Sequence, residues 1–327
     1  MSHPSNLLSP LEPGRLNPWQ QVGESVAGTR NAREALAVAG LAGWNIRKLV
    51  QTATELTENG VTSVENPEKV MLVRTDPRTG AARYLSTVGS GYGIKQNEDS
   101  ADVIDALVAE SGAAGLAEAG YLDGGRRTFV TMQLPKVMRV ARVDPVELHL
   151  VVFNSHDGSS AFRVMLVPYR IFCANQLPVA IKDKISAVSI RHTSKSEINV
   201  EEIRSKLGLM YEYATEFEAQ AERMLNTATT NAEFAELIEQ VWPVDEKKAT
   251  TRTLNNARRR RGELTRLWTS AETQAPIRGS RWAAFQAVTE YLDHYSPAKN
   301  DLVRANRVLS SDGVAKKKQA AFELLTA

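Results

Sequence analysis

The chain has 327 residues and a formal net charge of +2, with 43% apolar and 24% charged residues; that balance is globular and excludes wholesale disorder. No apolar run reaches the roughly 20 residues of a bilayer span, and the Pro-rich opening lacks the apolar stretch of a secretory signal. One cysteine, Cys173, and five scattered histidines (His3, His149, His156, His192, His294) argue against a disulfide framework or a thiolate zinc cage. The expectation is a cytoplasmic protein of a bacterial host cell, with no cofactor.

The small net charge conceals segregation. Residues 97–123 hold seven acids and no Lys or Arg, and residues 124–196 hold eleven cations against four acids, a balance of +7. Residues 201–246 come to −8 and residues 247–327 to +9. Blocks of alternating sign belong to elements that face different partners, or face each other.

Residues 1–25 are rich in Pro, Ser and Asn and read as a flexible arm. Asn31 to Ala39 has the Ala-rich composition of a short helix, stopped at Gly40. Ile46 to Glu55 is undecided. The apolar run from Val70 to Val73, the turn Asp76-Pro77-Arg78-Thr79-Gly80 and the run from Ala81 to Val88 make a β-hairpin. Asn97 then caps an amphipathic helix over 98–110, with Glu98 and Asp99 in its first turn and Val103, Ile104, Leu107 and Val108 on one face. Strands follow at Arg127 to Leu134, Lys136 to Val143, Val146 to Asn154 and Ala161 to Val167, with a hairpin loop at 155–159. Tyr169 to Ala174 continues the last strand, and Ala187 to Thr193 is one more. From Val200 the spacing turns helical, with helices at 200–226, 231–241, 254–268, 282–291 and 314–325. The expected fold is α+β: a hairpin, helix and curved antiparallel sheet over 26–199, then a helical region over 200–327.

Gly89, Gly91 and Gly93 precede a helix, as a phosphate loop would. The dinucleotide spacing is missing and no Gly-Lys-Ser/Thr follows. The next turn is acidic and would repel phosphate, so a flexible hairpin exit is the better reading. Cys173 lies in an apolar run, where an inert buried thiol is the default. No Ser, Cys or Thr has an evident base partner, and no hydrolase site is visible. The expectation is a protein that is not an enzyme.

The basic stretch is more promising. Arg126, Arg127, Lys136, Arg139, Arg142, Arg163, Arg170, Lys182, Lys184, Arg191 and Lys195 all lie in expected β-structure, interleaved with Phe129, Phe162, Tyr169 and Phe172. Cations that follow a backbone, with aromatics for stacking, are the ingredients of a sequence-tolerant single-strand groove. Arg139, Arg142, Arg170, Arg191 and Lys195 are the leading backbone contacts and Tyr169 joins the candidates; a solvated sheet face is the plain alternative. Arg258 to Arg261 form a cationic collar on a helix, able to meet nucleic acid or the acidic helix 212–222 of a neighbouring subunit.

The segment Arg170-Ile171-Phe172-Cys173-Ala174-Asn175-Gln176-Leu177 resembles the signature of a phage/plasmid-like protein family of unassigned function. Tyr92-Gly93-Ile94 with Gln96-Asn97, Arg191-His192-Thr193 and the helix from Ala284 to His294 resemble further segments of that family, as does the ending with Gly313 and Lys317. The order of hairpin, helix and antiparallel strands is also similar to single-strand annealing recombinases of the RecT, Red-beta and Erf types. That likeness implies a ring or filament that holds a strand's phosphates and leaves its bases free to pair. The expected function is therefore ATP-independent single-stranded DNA binding and annealing, in recombination or replication of a phage or plasmid, with RNA as a further partner. The other expectation is an oligomeric interaction protein that binds no nucleic acid.

Overall fold

In a computed structural model the chain is described over residues 15–158, 162–189, 200–245 and 247–327. Ten strands and nine α-helices follow one another there. The first half runs α1 (Pro18–Val22), β1 (Gly23–Ser25), α2 (Ala32–Val38), β2 (Arg47–Thr57), β3 (Gly60–Thr75), β4 (Ala82–Gly89), α3 (Ala101–Ser111), β5 (Glu118–Leu122), β6 (Arg127–Val140), β7 (Asp144–Ser155), β8 (Arg163–Arg170), β9 (Asn175–Gln176) and β10 (Ala187–Ser189). The second is helical: α4 (Val200–Leu225), α5 (Asn231–Val241), α6 (Thr251–Ser270), α7 (Arg281–Glu290), α8 (Asp301–Ser310) and α9 (Asp312–Thr326). The α+β class is as the sequence indicates.

Seven strands form a curled antiparallel sheet in the order β1-β5-β6-β7-β8-β10, with β9 added beside β8. Strand β7 shows why it is two-sided. Val146, Leu148, Leu150 and Val152 enter the main core, while Val151 points to the opposite face. Helix α4 crosses the first face, burying Ile203, Leu207, Met210, Ala214, Phe217 and Ala221 at helical spacing. Helix α7 is buried on every side, from Trp282 to Glu290, and packs against α4, α6, α9 and β9. The other face has thinner cover. There Trp19 of α1 lies 4.8 Å from the Phe129 ring, with Val151, Val167 and Leu309 around it. Gly120 makes this approach possible, since a Cβ there would fall 2.9 Å from Gly23 Cα and 3.0 Å from the Phe129 ring. A second sheet, β2-β3-β4, contributes Leu72, Leu85 and Val88 to the main core.

Several expectations are corrected. The expected tail includes α1: Asn17 and Gln20 form a reciprocal capping box, Pro18 starts the helix, and burial of Trp19 anchors it. The undecided segment from Ile46 is strand β2. The two strands expected on either side of Pro135 are one strand, β6, in which an irregularity between Gln133 and Val137 absorbs the residue without an N–H. Asn97 is not the helix cap; its side chain donates to Leu41 O (2.8 Å) and accepts from His156 Nε2 (2.8 Å). β5 and α8 have no counterpart in the sequence reading. Ala161 and residues 190–193 of two expected strands lie outside the described residues.

A buried polar framework ties the sheet to the helices. Arg170, 0% exposed at the end of β8, donates to both carboxylate oxygens of Asp144 (2.7 and 3.0 Å), to Cys173 Sγ (3.2 Å) and to Thr273 O (2.9 Å). Trp282 Nε1 donates to the same carboxylate at 2.6 Å. In the next turn Asp293 accepts from Gln176 N (2.9 Å) and pairs with Lys318 (2.6 Å), whose ammonium also donates to Gln176 O (2.8 Å). Glu290 accepts from Thr273 Oγ1, Gln274 Nε2 and Arg15. Two histidines belong to this interior. His156 Nε2 donates to Asn97, and burial lowers its pKa to about 4. His294 Nε2 donates to Ala174 O (3.1 Å), and burial, aided by nearby Arg15, lowers its pKa to about 3.

Removing one member of a buried, hydrogen-bonded ion pair strands the other charge and costs about 3–5 kcal/mol. Arg170→Ala and Asp144→Ala are each expected to lose that much in urea unfolding. The double variant Arg170→Met/Asp144→Leu loses less than the two single losses combined, and a single loss below about 1 kcal/mol would deny the pair its anchoring role. The histidines set an acid limit. The unfolded chain takes up protons near pH 6.5 that folded His156 and His294 refuse until about 4 and about 3. Stability is therefore complete above pH 6.5 and falls as the pH drops below it, by at most about 1.4 kcal/mol per pH unit for each histidine. Unfolding at pH 7 and pH 5 should show this loss, and His156→Gln should remove roughly half of it. A wild-type stability equal at both pH values would refute the assignment.

Candidate nucleic-acid interface

The cations singled out in the sequence divide among several places. Lys136, Arg139 and Arg142 stand exposed near the β6–β7 turn, whose backbone is met by acids of α4. Lys136 lies 4.0 Å from Glu218, which also accepts from Arg139 N, and Glu222 accepts from Ala141 N (3.1 Å). Lys182 is exposed beyond β9, and Lys184 pairs with Glu212 of α4 at 3.3 Å. Tyr169 is half-buried with its ring edge against His149 (5.4 Å), and burial raises its pKa. Arg191 and Lys195 lie outside the described residues. Arg170 corrects the expectation outright. With no exposed surface and its guanidinium held by Asp144, it cannot reach a phosphate.

Three of the cations converge. Arg126, Arg127 and Arg163 line a cleft of about 660 Å³ on the thinly covered face of the sheet, within the range of small-ligand sites. Local geometry brings them there. Gly124 and Gly125 take positive φ (72° and 105°), and a Cβ on Gly125 would meet Trp44 and Leu85 at 3.1 Å, so the chain turns tightly before Arg126. Arg126 Nε then donates to Leu85 O (2.9 Å), and its own carbonyl accepts from His156 N (2.7 Å). Arg127 pairs with Asp123 and donates to Ser310 O (3.4 Å) at the end of α8. The Arg163 side chain, exposed at the start of β8, has neither a hydrogen bond nor an ion pair to any described residue.

Trp19, Phe153 and Met165 supply the apolar part of the lining, with the Trp19 and Phe153 ring centroids 5.6 Å apart. Asp123, Asp157 and Asp312 also border the cleft. Gln176 completes it: the residue is buried, and its Nε2 has no hydrogen-bond partner among the described residues. An unmet buried donor costs about 1–3 kcal/mol, which a ligand acceptor would recover. Trp19 and Phe153 are not among the sequence-derived contact candidates, and Gln176 enters there only as part of the segment Arg170 to Leu177. The capping pattern Asn17-Pro18-Trp19-Gln20, read in the sequence as part of a flexible arm, is the signal that could have marked an ordered helix there.

Other candidates resolve plainly. The Gly89 to Gly93 segment leads out of β4, and Glu98 after it accepts from Gly43 N (2.6 Å). Cys173 is buried and its thiol is pushed up to about 12 by burial, so it is an inert group at neutral pH. Among the described residues no group of His, Cys, Asp and Glu is arranged to hold a metal ion, and no helix is long and apolar enough to cross a membrane.

No curated protein and no solved structure matches the chain. Residues 84–319 match a family model described as a domain of unknown function, DUF932. That span takes in the Arg170 framework, the cleft cations and most of the helical layer, and by it the chain belongs to the DUF932 family, an uncharacterised one.

Proposed function

We propose that the protein binds single-stranded DNA through this cleft and serves as an ATP-independent annealing accessory in recombination or replication. The observation that carries the reading is the meeting of Arg126, Arg127 and Arg163 beside the half-buried Phe153 ring, which rests on buried Trp19. Guanidinium forks match phosphate oxygens, and an aromatic neighbour gives a base a face to stack on without regard to its identity. Arg163 has its whole donor set available, whereas Arg127 is oriented by Asp123 and Arg126 by Leu85 O. Gln176 Nε2 adds a neutral donor suited to a base carbonyl or a phosphate oxygen. Holding a strand for annealing asks for no nucleophile or metal, only for reversible grip. The cleft is favoured over the β6–β7 turn because aromatic and amide groups join its arginines, whereas at the turn Lys136 already faces Glu218 of α4. A second reading, an assembly of several copies, is favoured by the exposed ribbon of β2 and β3.

Fluorescence anisotropy with a labelled single-stranded oligonucleotide tests the proposal. Binding is expected at about 50 mM salt and weakens as salt rises, with a log–log slope that drops by about 0.7 for each phosphate contact removed. Arg163→Ala and the triple variant with Arg126→Ala and Arg127→Ala should show that drop, while Lys136→Ala and Lys184→Ala should not. An RNA strand and a duplex of the same length separate the nucleic-acid classes. Absence of binding at low salt, or equal losses in the control variants, would overturn the proposal.

A further inference from the structure

Strands β2 and β3 run on as a two-stranded ribbon well past the end of β4. β4 pairs with β3 only over Lys69 to Thr75, whereas β2 and β3 stay paired from Thr52↔Glu65 out to Thr57↔Gly60. Every residue from Thr52 to Lys69 is exposed. A lone two-stranded hairpin is marginally stable in water, and this one has both edges and both faces open. Its tip is apolar. Leu56 (83% exposed) sits directly opposite Val61 (68%) on one face. It is also acidic, with Glu55, Glu58, Glu65 and Glu68 and no Lys or Arg between Gln51 and Glu68.

A complementary surface lies in the helical region. Between α5 and α6 a groove of about 360 Å³ has Trp242, Leu254 and Ala257 in its lining and Arg258, Arg260 and Arg261 along it. The Arg260 guanidinium stacks 5.3 Å from the centre of the Trp242 ring, and its buried Nε has no hydrogen-bond partner. Arg259 is exposed beside them, and Glu239, the one acid among the described residues of the lining, is paired with Arg261. The cleft proposed for DNA is a poorer match, because Asp123, Asp157 and Asp312 border it and would repel the glutamates. The ribbon, fully exposed, does not fill the groove of its own chain.

We propose that the β2–β3 ribbon of one copy docks in the α5–α6 groove of a second copy. Leu56 and Val61 enter beside Trp242 and Leu254, and Glu58 and Glu65 meet Arg258 and Arg261. Ribbon and groove are different surfaces, so reciprocal exchange closes a dimer and one-way exchange makes a ring or filament. The inference goes beyond DNA binding and uses none of the cleft residues.

Light scattering of the full chain after size exclusion, without nucleic acid, tests it. At about 50 mM salt the mass should exceed the 36.0 kDa of one chain and fall towards it at about 500 mM. Leu56→Asp/Val61→Asp and Arg258→Glu/Arg261→Glu should each weaken assembly at least about tenfold, with near-UV circular dichroism unchanged. Adding Glu58→Arg/Glu65→Arg to the groove variant should restore the larger species. A monomer at all concentrations, or an oligomer that survives in either variant, would overturn the proposal. DNA binding of the ribbon variant is read separately, so failure of one idea leaves the other standing.

Discussion

A guanidinium with no access to water has to be met by oxygens on every side, and Arg170 is the point on which this architecture turns. Its partners come from four places: Asp144 at the start of β7, Cys173 in the turn after β8, Thr273 in the turn before α7, and, through Asp144, Trp282 of α7. A charge this deep is tolerated only if all of them arrive together. The register of the sheet edge and the placement of the helical layer are thereby fixed by one side chain. The same logic extends one turn along, where Asp293 and Lys318 clasp the backbone of Gln176.

That constraint explains the segment Arg170 to Leu177. Arg170, Cys173, Asn175 and Leu177 are all fully buried. The Asn175 amide, in the orientation its partners require, donates to Cys173 O and accepts from Glu290 N and Thr289 Oγ1. The segment is a clasp between layers, and its most distinctive residues touch no solvent. The charge blocks resolve similarly. Part of the basic stretch and the acidic helix face each other within one chain, through Lys136 with Glu218 and Lys184 with Glu212. Such half-exposed pairs contribute little stability each, but they remove those cations from the outward-facing field.

The fold was largely legible because periodicity records burial. The alternation of Val146, Leu148, Leu150 and Val152, and the three-and-four spacing from Ile203 to Ala221, are consequences of which face meets the core. The short elements were not legible. β5, read as Glu-Ala-Gly-Tyr-Leu, has too few residues for a period, and α1 is five residues that hold because Trp19 finds Phe129. The candidate cleft was half legible. Charge counting includes Arg126, Arg127 and Arg163 but ranks Arg170 ahead of them, since composition does not distinguish a cation that faces water from one that faces Asp144. Phe153 carries no signal, and Gln176 none as a contact residue, until the strands are placed side by side.

The lone thiol of Cys173 has a practical consequence. Out of water, protonated far above neutral pH and beside the Arg170 guanidinium, it offers no thiolate to an electrophile while the chain stays folded. A cysteine introduced anywhere on the surface would therefore be the single reactive sulfur. A spin label or fluorophore can be placed on the ribbon tip or at the cleft mouth in the otherwise native background, without first replacing a residue that the interior uses.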